Sequence, residues 1–135
     1  MIARVVVDTD VLSYFFKGDT RGDAYRRHLV GRIGIVSFMT VAELDRWALN
    51  HRWGTAKRDR LEKFLQRYLI RYCDRAMCIK WAEVKDQVQR KGRIIQTADA
   101  WIAATAKLHG IPLVTHNAKD FAQVDGLTVI TEFRP

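Results

Sequence analysis

Residues 4–12 read Arg4-Val5-Val6-Val7-Asp8-Thr9-Asp10-Val11-Leu12, preceded by Ile2 and Ala3. Three consecutive valines suit a strand covered on both faces, because a half-exposed strand would alternate apolar with polar residues. The run predicts a strand over Ile2–Val7. Asp8 ends it, and Asp is a favoured helix N-cap, so a helix from about Val11 to Phe16 is expected next.

The same alternation continues outward. A second helix is read over Asp23–Val30, beyond Gly18, and a second strand over Ile33–Phe38. Thr40-Val41-Ala42-Glu43 has the S/T-x-x-E form of a capping box and predicts a helix over Thr40–Asn50. Leu61, Phe64, Leu65, Tyr68 and Leu69 recur at spacings of three and four, which predicts one amphipathic helix over Lys57–Tyr72. Further helices are read over Met77–Lys91, ended by Gly92, and over Thr97–His109, closed by Gly110 and Pro112. Leu113–Thr115 reads as a strand, Asn117–Phe121 as a helical turn and Leu127–Ile130 as a last strand. Strands separated by helices imply an α/β fold: one domain over residues 1–135, with a central, mainly parallel sheet flanked by helices on both faces.

Composition agrees. Hydrophobic residues make up 48% of the 135 and charged residues 28%, a balance that excludes a disordered chain. At this length folding buries roughly two-thirds of the unfolded surface, so neither disulfides nor a structural metal is required. No apolar run nears the ~18 residues of a membrane span, and Ile33–Met39 is interrupted by Gly34. Met1 runs almost directly into the first strand, without the segments of an export signal, so a soluble, cytoplasmic chain is expected. Cys73 and Cys78, the only cysteines, are then expected to be small buried hydrophobes in a reducing compartment.

Ligands of parallel sheets bind beyond the carboxyl ends of the strands. Asp8 follows the first strand, Glu43 lies in the first turn of the helix after the second, Asp99 in the first turn of the Ala-rich helix, and Asp120 beyond Leu113–Thr115. Each acid also has a local explanation. Asp8 suits an N-cap, Glu43 completes a capping box, Asp99 is an ordinary first-turn acid, and Asn117 with Asp120 could be a cap and its partner. Together at one edge, four carboxylates would repel one another, and a divalent cation with a taste for hard oxygen ligands would offset that.

At these residues the chain resembles the PIN-domain nucleases, in particular the VapC-type toxins of toxin–antitoxin pairs. Val5-Val6-Val7-Asp8-Thr9-Asp10-Val11-Leu12 is similar to the family's D-T-N-hydrophobic opening, and Ser37-Phe38-Met39-Thr40-Val41-Ala42-Glu43-Leu44 to its second motif. Thr97-Ala98-Asp99-Ala100-Trp101-Ile102-Ala103-Ala104-Thr105-Ala106 resembles D-x-x-I-A-A-x-A, and Leu113-Val114-Thr115-His116-Asn117-Ala118-Lys119-Asp120-Phe121 resembles L-V-T-x-N/D-x-x-D/E-F. The four motifs run in order along essentially the whole chain.

The resemblance implies a metal-dependent endoribonuclease cutting RNA of the tRNA or rRNA class with Mg2+ or Mn2+, held in check by a cognate antitoxin and commonly a homodimer. Asp8, Glu43 and Asp99 fall on the family's best-kept acids. They are the expected catalytic and metal-holding residues, with Asp120 as a fourth. Asp8 and Asp99 would be the principal ligands, with Glu43 and Asp120 holding metal-bound waters or a second ion, and Glu43 the first choice among these to accept a proton from the attacking water. Thr115, Asn117 and Asp10 are auxiliary candidates. Asn117 replaces an acid common in the family, and Asp10 replaces a common Asn. Either Asn117 orients a water, or Asp120 supplies the fourth carboxylate.

The net charge of +8 suits a polyanionic substrate. From Arg46 to Arg75 there are nine Lys/Arg against three acids. Arg60, Lys63, Arg67 and Arg71 would form a stripe on the helix read over Lys57–Tyr72, a candidate RNA-binding face that could equally receive an acidic antitoxin tail. His116, alone near the predicted edge, reads as a surface residue. Two rival readings remain: a non-catalytic PIN-like module binding RNA or protein, and an aspartate-nucleophile phosphatase built on Asp8 and Asp10.

Overall fold

In the computed structural model, which describes residues 2–134, the valine run forms the middle strand of a five-stranded sheet. The elements in chain order are β1 (Arg4–Val7), α1 (Thr9–Lys17), a 3-10 segment (Thr20–His28), β2 (Ile33–Ser37), α2 (Phe38–Asn50) and α3 (Thr55–Leu65). They continue with β3 (Leu69–Arg71), α4 (Arg75–Arg90), α5 (Thr97–His109), β4 (Leu113–Val114), a 3-10 turn (Ala118–Phe121) and β5 (Val129–Ile130). All four strand pairings are parallel, in the order β3-β2-β1-β4-β5.

The pleat of β1 divides the core. Val5 and Val7 pack with Val11, Leu12, Tyr25, Val36, Leu44 and Leu61 on the face covered by α1, α2 and α3. Val6 packs with Ile35, Val84, Val88, Ala103 and Leu113 under α4 and α5. Burying each such valine stabilises the fold by about 1.5–3 kcal/mol, and neither face can go to water without that loss. Hence the run shows no alternation.

The chain steps from β1 to β2 to β3, then crosses back through α4 and α5 to lay β4 on the other side of β1. The order therefore reverses between β1 and β4, and at such a switch point a crevice opens beyond the strand ends. Asp8 leaves β1 there and Thr115 leaves β4. No helix among the described residues is long and apolar enough to cross a membrane.

Several expectations need correction. The helix read over Lys57–Tyr72 is two elements: α3 stops at Leu65, tight bonds from Arg67 N to Phe64 O and Tyr68 N to Leu65 O turn the chain, and Leu69–Arg71 joins the sheet beside β2. The 3–4 spacing runs unbroken through the turn, so periodicity could not reveal it. The break seats the Tyr68 ring on β2 at Gly34, where a Cβ would come within 2.8 Å of the ring. Only glycine lets the two approach so closely.

Helix α2 begins two residues earlier than expected, because Ser37 Oγ accepts the Met39 N–H and Thr40 lies inside the helix. The capping-box reading of Thr40 and Glu43 is therefore wrong. In α4 the first turn starts at Arg75, capped by Asp74 on the Met77 N–H. Asp23–Val30 is not an α-helix: as far as His28 it belongs to the 3-10 segment Thr20–His28, and Leu29 and Val30 form a turn. Cys73 is exposed and Cys78 half-buried, with sulfurs 3.6 Å apart, so these are not buried hydrophobes.

Candidate active site

Asp8 ends β1 and caps α1, and it is only 6% exposed. Its Oδ1 accepts the Thr9 N–H at 2.8 Å and its Oδ2 the Thr115 hydroxyl at 2.7 Å. The cap role and a site role coexist here. Burial is the main force on this carboxyl and the neighbouring Asp10 charge the second; together they push its pKa up to about 8 despite both hydrogen bonds.

Glu43 arrives from α2. The Thr9 hydroxyl donates to its Oε1 at 2.8 Å and lies 2.9 Å from the Thr40 hydroxyl. One threonine thus ties two segments together: its backbone holds Asp8 and its side chain holds Glu43. Burial raises the Glu43 pKa, with the Thr9 bond opposing and the Asp10 charge adding. The sequence reading missed Thr9. Its signal was present, a hydroxyl directly after the strand-ending acid.

Asp99 stands in the first turn of α5, whose N-cap Gln96 makes no side-chain cap. The free N–H groups at that end favour a nearby negative charge. Even so the carboxyl is pushed up to about 6, first by burial and then by Asp120, Glu43 and Asp10. Asp120 shares with Asp99 the wall of a cavity of about 530 Å³. The cap-and-partner reading of Asn117 and Asp120 fails, since Asn117 caps nothing with its side chain.

Asp10 sits between the groups. Its Oδ1 accepts the Val11 N–H at 2.7 Å, and its Oδ2 accepts both the His116 N–H and the Asn117 side-chain amide at 3.0 Å. Burial raises its pKa and the N–H donors oppose. Asn117 N in turn donates to Thr115 Oγ1, the hydroxyl that holds Asp8. Asp8, Thr115, Asn117 and Asp10 thus form a linked arc joining the start of α1 to the loop after β4. With both oxygens engaged by N–H donors, Asp10 is poorly placed to shuttle protons, which weighs against the phosphatase reading.

His116 is half-buried rather than on the surface. Its Nδ1 lies 2.5 Å from the hydroxyl of the fully buried Tyr25, and Tyr14, Tyr25 and Phe133 meet its ring edge-on. Tyr25 also accepts the Glu132 N–H, so it braces the loop from behind.

Asp8, Glu43, Asp99 and Asp120, with Asp10, therefore lie near one another at one edge: the Asp10 charge acts on Asp8 and Glu43, and the Asp120, Glu43 and Asp10 charges act on Asp99. Among the described residues none of the five joins an ion pair. Nor do any three His, Cys, Asp or Glu side chains there form a ready-made metal cage. This acidic edge forms a pit with only Asp99 and Asp120 in the wall of the cavity, and its carboxylates do not close on one point.

The basic stripe is brought together only in part. Arg71 leaves the helix for β3, where Nε donates to His109 and the guanidinium pairs with Asp74. Arg67 lies past the end of α3. Arg60, Lys63 and Arg67 do line a hollow, but beside Phe15, Phe16, Phe64 and Tyr68, with no carboxylate in it.

A family profile for the PIN domain matches residues 5–127. Ribonuclease VapC1 of Haemophilus influenzae is 27% identical over 124 residues, covering 90% of this chain and 92% of that protein. Ribonuclease VapC1 of Methanocaldococcus jannaschii is 29% identical over 123 residues, covering 90% and 82%. Among solved structures, VapBC2 of Rickettsia felis, bound to a DNA fragment from its promoter, superposes with a TM-score of 0.83. At 22% identity over 95% of this chain and 98% of that one, the likeness speaks for the fold.

Proposed function

The chain belongs to the PIN-domain family, and on that premise we propose that it is a metal-dependent endoribonuclease, the toxin of a toxin–antitoxin pair. One observation carries the reading: carboxylates from the start of α1, from α2, from α5 and from the turn after β4 gather near the switch point, and among the described residues none of them has an ion-pair partner. The ribonucleases it resembles supply the reaction class.

The donor set fits Mg2+ or Mn2+. It is all hard oxygen, and its charge crowding is relieved by a small divalent cation. A bound ion would polarise the scissile phosphate and acidify a water. Asp8 and Asp99 are the principal ligands. Thr9 and Thr115 hold Asp8 with its carboxylate oriented, so little reorganisation is needed. Glu43, braced by Thr9 and raised in pKa, accepts a proton from the attacking water. Asp120 adds negative charge beside Asp99. Asn117 brings no charge; it donates to Asp10, which supplies the further carboxylate of the pit. The partner is an acidic antitoxin segment, for which the basic hollow on α3 is the matching surface.

The test is cleavage of tRNA and rRNA with Mg2+ or Mn2+, comparing the wild type with Asp8→Asn. Cleavage that stops in the variant and in EDTA supports the reading. If both proteins are equally inert, the non-catalytic module replaces it.

A further inference from the structure

Next to the carboxylates lies the cavity of about 530 Å³, walled by Asp99 and Asp120 and also by Arg93, Lys119, Gln96 and Gln123. Arg93 belongs to the connection between α4 and α5, and Lys119 to the turn after β4. The two cations therefore come from separate segments onto one hollow. Neither makes an ion pair or a side-chain hydrogen bond among the described residues, whereas Arg71, Arg90 and Lys91 are all engaged by acids. Ile94, also in the lining, is a 90% exposed apolar side chain.

An RNA strand entering the pit brings more than one phosphate. A divalent ion answers the scissile phosphate only. The phosphate next along the chain would meet Asp99 and Asp120, a repulsion that must be balanced locally. Among the described residues, Arg93 and Lys119 are the only Lys or Arg lining that cavity.

We propose that this cavity is the subsite for the nucleotide adjoining the scissile bond, with Arg93 and Lys119 holding its phosphate and Ile94 meeting the face of its base. The substrate class follows: a single-stranded or looped segment, because a paired base has no free face to offer. The inference rests on the nuclease reading above. It also moves the RNA path away from Arg60, Lys63 and Arg67, whose hollow shares no lining residue with this one.

The test is binding of a fluorescent single-stranded oligoribonucleotide in Mg2+ across a salt series, in an Asp8→Asn background that prevents cutting. Arg93→Ala and Lys119→Ala should each weaken binding about 5–20-fold and reduce the slope of log K against log salt by roughly 0.7. Arg93→Lys should keep the slope. The triple substitution Arg60→Ala/Lys63→Ala/Arg67→Ala should change binding by less than about twofold, since no phosphate contact is lost. In the otherwise wild-type enzyme, Arg93→Ala and Lys119→Ala should raise KM and leave kcat nearly unchanged. Both side chains are exposed, so melting temperatures should not move. Loss of binding in the triple variant with Arg93→Ala and Lys119→Ala silent overturns the subsite while leaving the nuclease intact. A wild type that cleaves no RNA overturns the nuclease reading, and the subsite with it.

Discussion

The acid pit and the basic hollow each gather charge of one sign, by opposite means. In the pit, Asp8 is buried and Asp10, Glu43 and Asp99 half-buried; Asp8, Glu43 and Asp10 are held by hydroxyl and amide donors, and among the described residues none of these acids has an ion-pair partner. In the hollows along α1 and α3, the cations stay wet and lie over aromatic rings: Lys57 4.1 Å from the Trp53 ring centroid, Lys17 5.0 Å from Trp47, Arg60 5.7 Å from Phe16. Exposed like charges cost little, because solvent screens them. Buried like charges do not relax that way, so they shift their ionisation or take up a counterion. Concentration of charge alone therefore does not mark a centre of chemistry; its burial does.

The largest break in the comparison comes from Asp8→Asn. Cleavage should fall on the order of 10²–10³-fold or more, measured by single-turnover cutting of tRNA. The metal-free fold should nevertheless become more stable near pH 8, because a buried charge has gone; a melting temperature that drops instead would mean Asp8 is chiefly a cap.

The pit should also impose a pH slope on the metal-free protein. Asp8 is raised from 3.8 to about 8 and Asp99 from 3.8 to about 6, so between those limits the folded state keeps protons the unfolded chain has lost. Stability then falls as pH rises from about 4 to 8, by on the order of a few kcal/mol, and levels off above. Asp19 and Glu132, held down at about 2, act only at lower pH. Denaturation at pH 5 and pH 8 checks the sign. Mg2+ should restore more stability at pH 8, and an equal gain at both would count against carboxylate ligation.

A finer cut tests the arc. Asn117→Asp puts a carboxylate against Asp10 and should lower activity and Mg2+ affinity by about 10–100-fold. Adding Asp10→Asn restores a donor–acceptor pair and should recover much of both, a non-additivity read in a double-mutant cycle. Smallest is Lys57→Ala on the basic side, expected to cost about 0.5–1 kcal/mol in urea unfolding and nothing in cleavage.

The course of the chain bears on why some features were legible and others not. The valine run and α5 were readable because burial on two faces and an Ala-rich, glycine-ended segment leave local signatures. Leu69–Arg71 was not, because three residues carry no period of their own and the preceding helix lends them its own. Glu43 was found from its place after the second strand and from the motif around it; only the capping box read as its local explanation was wrong, since Ser37 does the capping and Thr9 holds the acid. The stripe of Arg60, Lys63, Arg67 and Arg71 depended on a helix that ends too soon.

By itself the sequence determined the alternation of strand and helix, the order of the four motifs and the identity of the acids, since these are properties of neighbours along the chain. Only the tertiary structure decided which acids share a pit, that Thr9 bridges Asp8 to Glu43, that Asp10 takes Asn117 as its partner, and that Arg93 and Lys119 flank the same cavity. Those relations join residues up to 107 positions apart. Hydrogen bonds and burial act through space, so no local pattern encodes them.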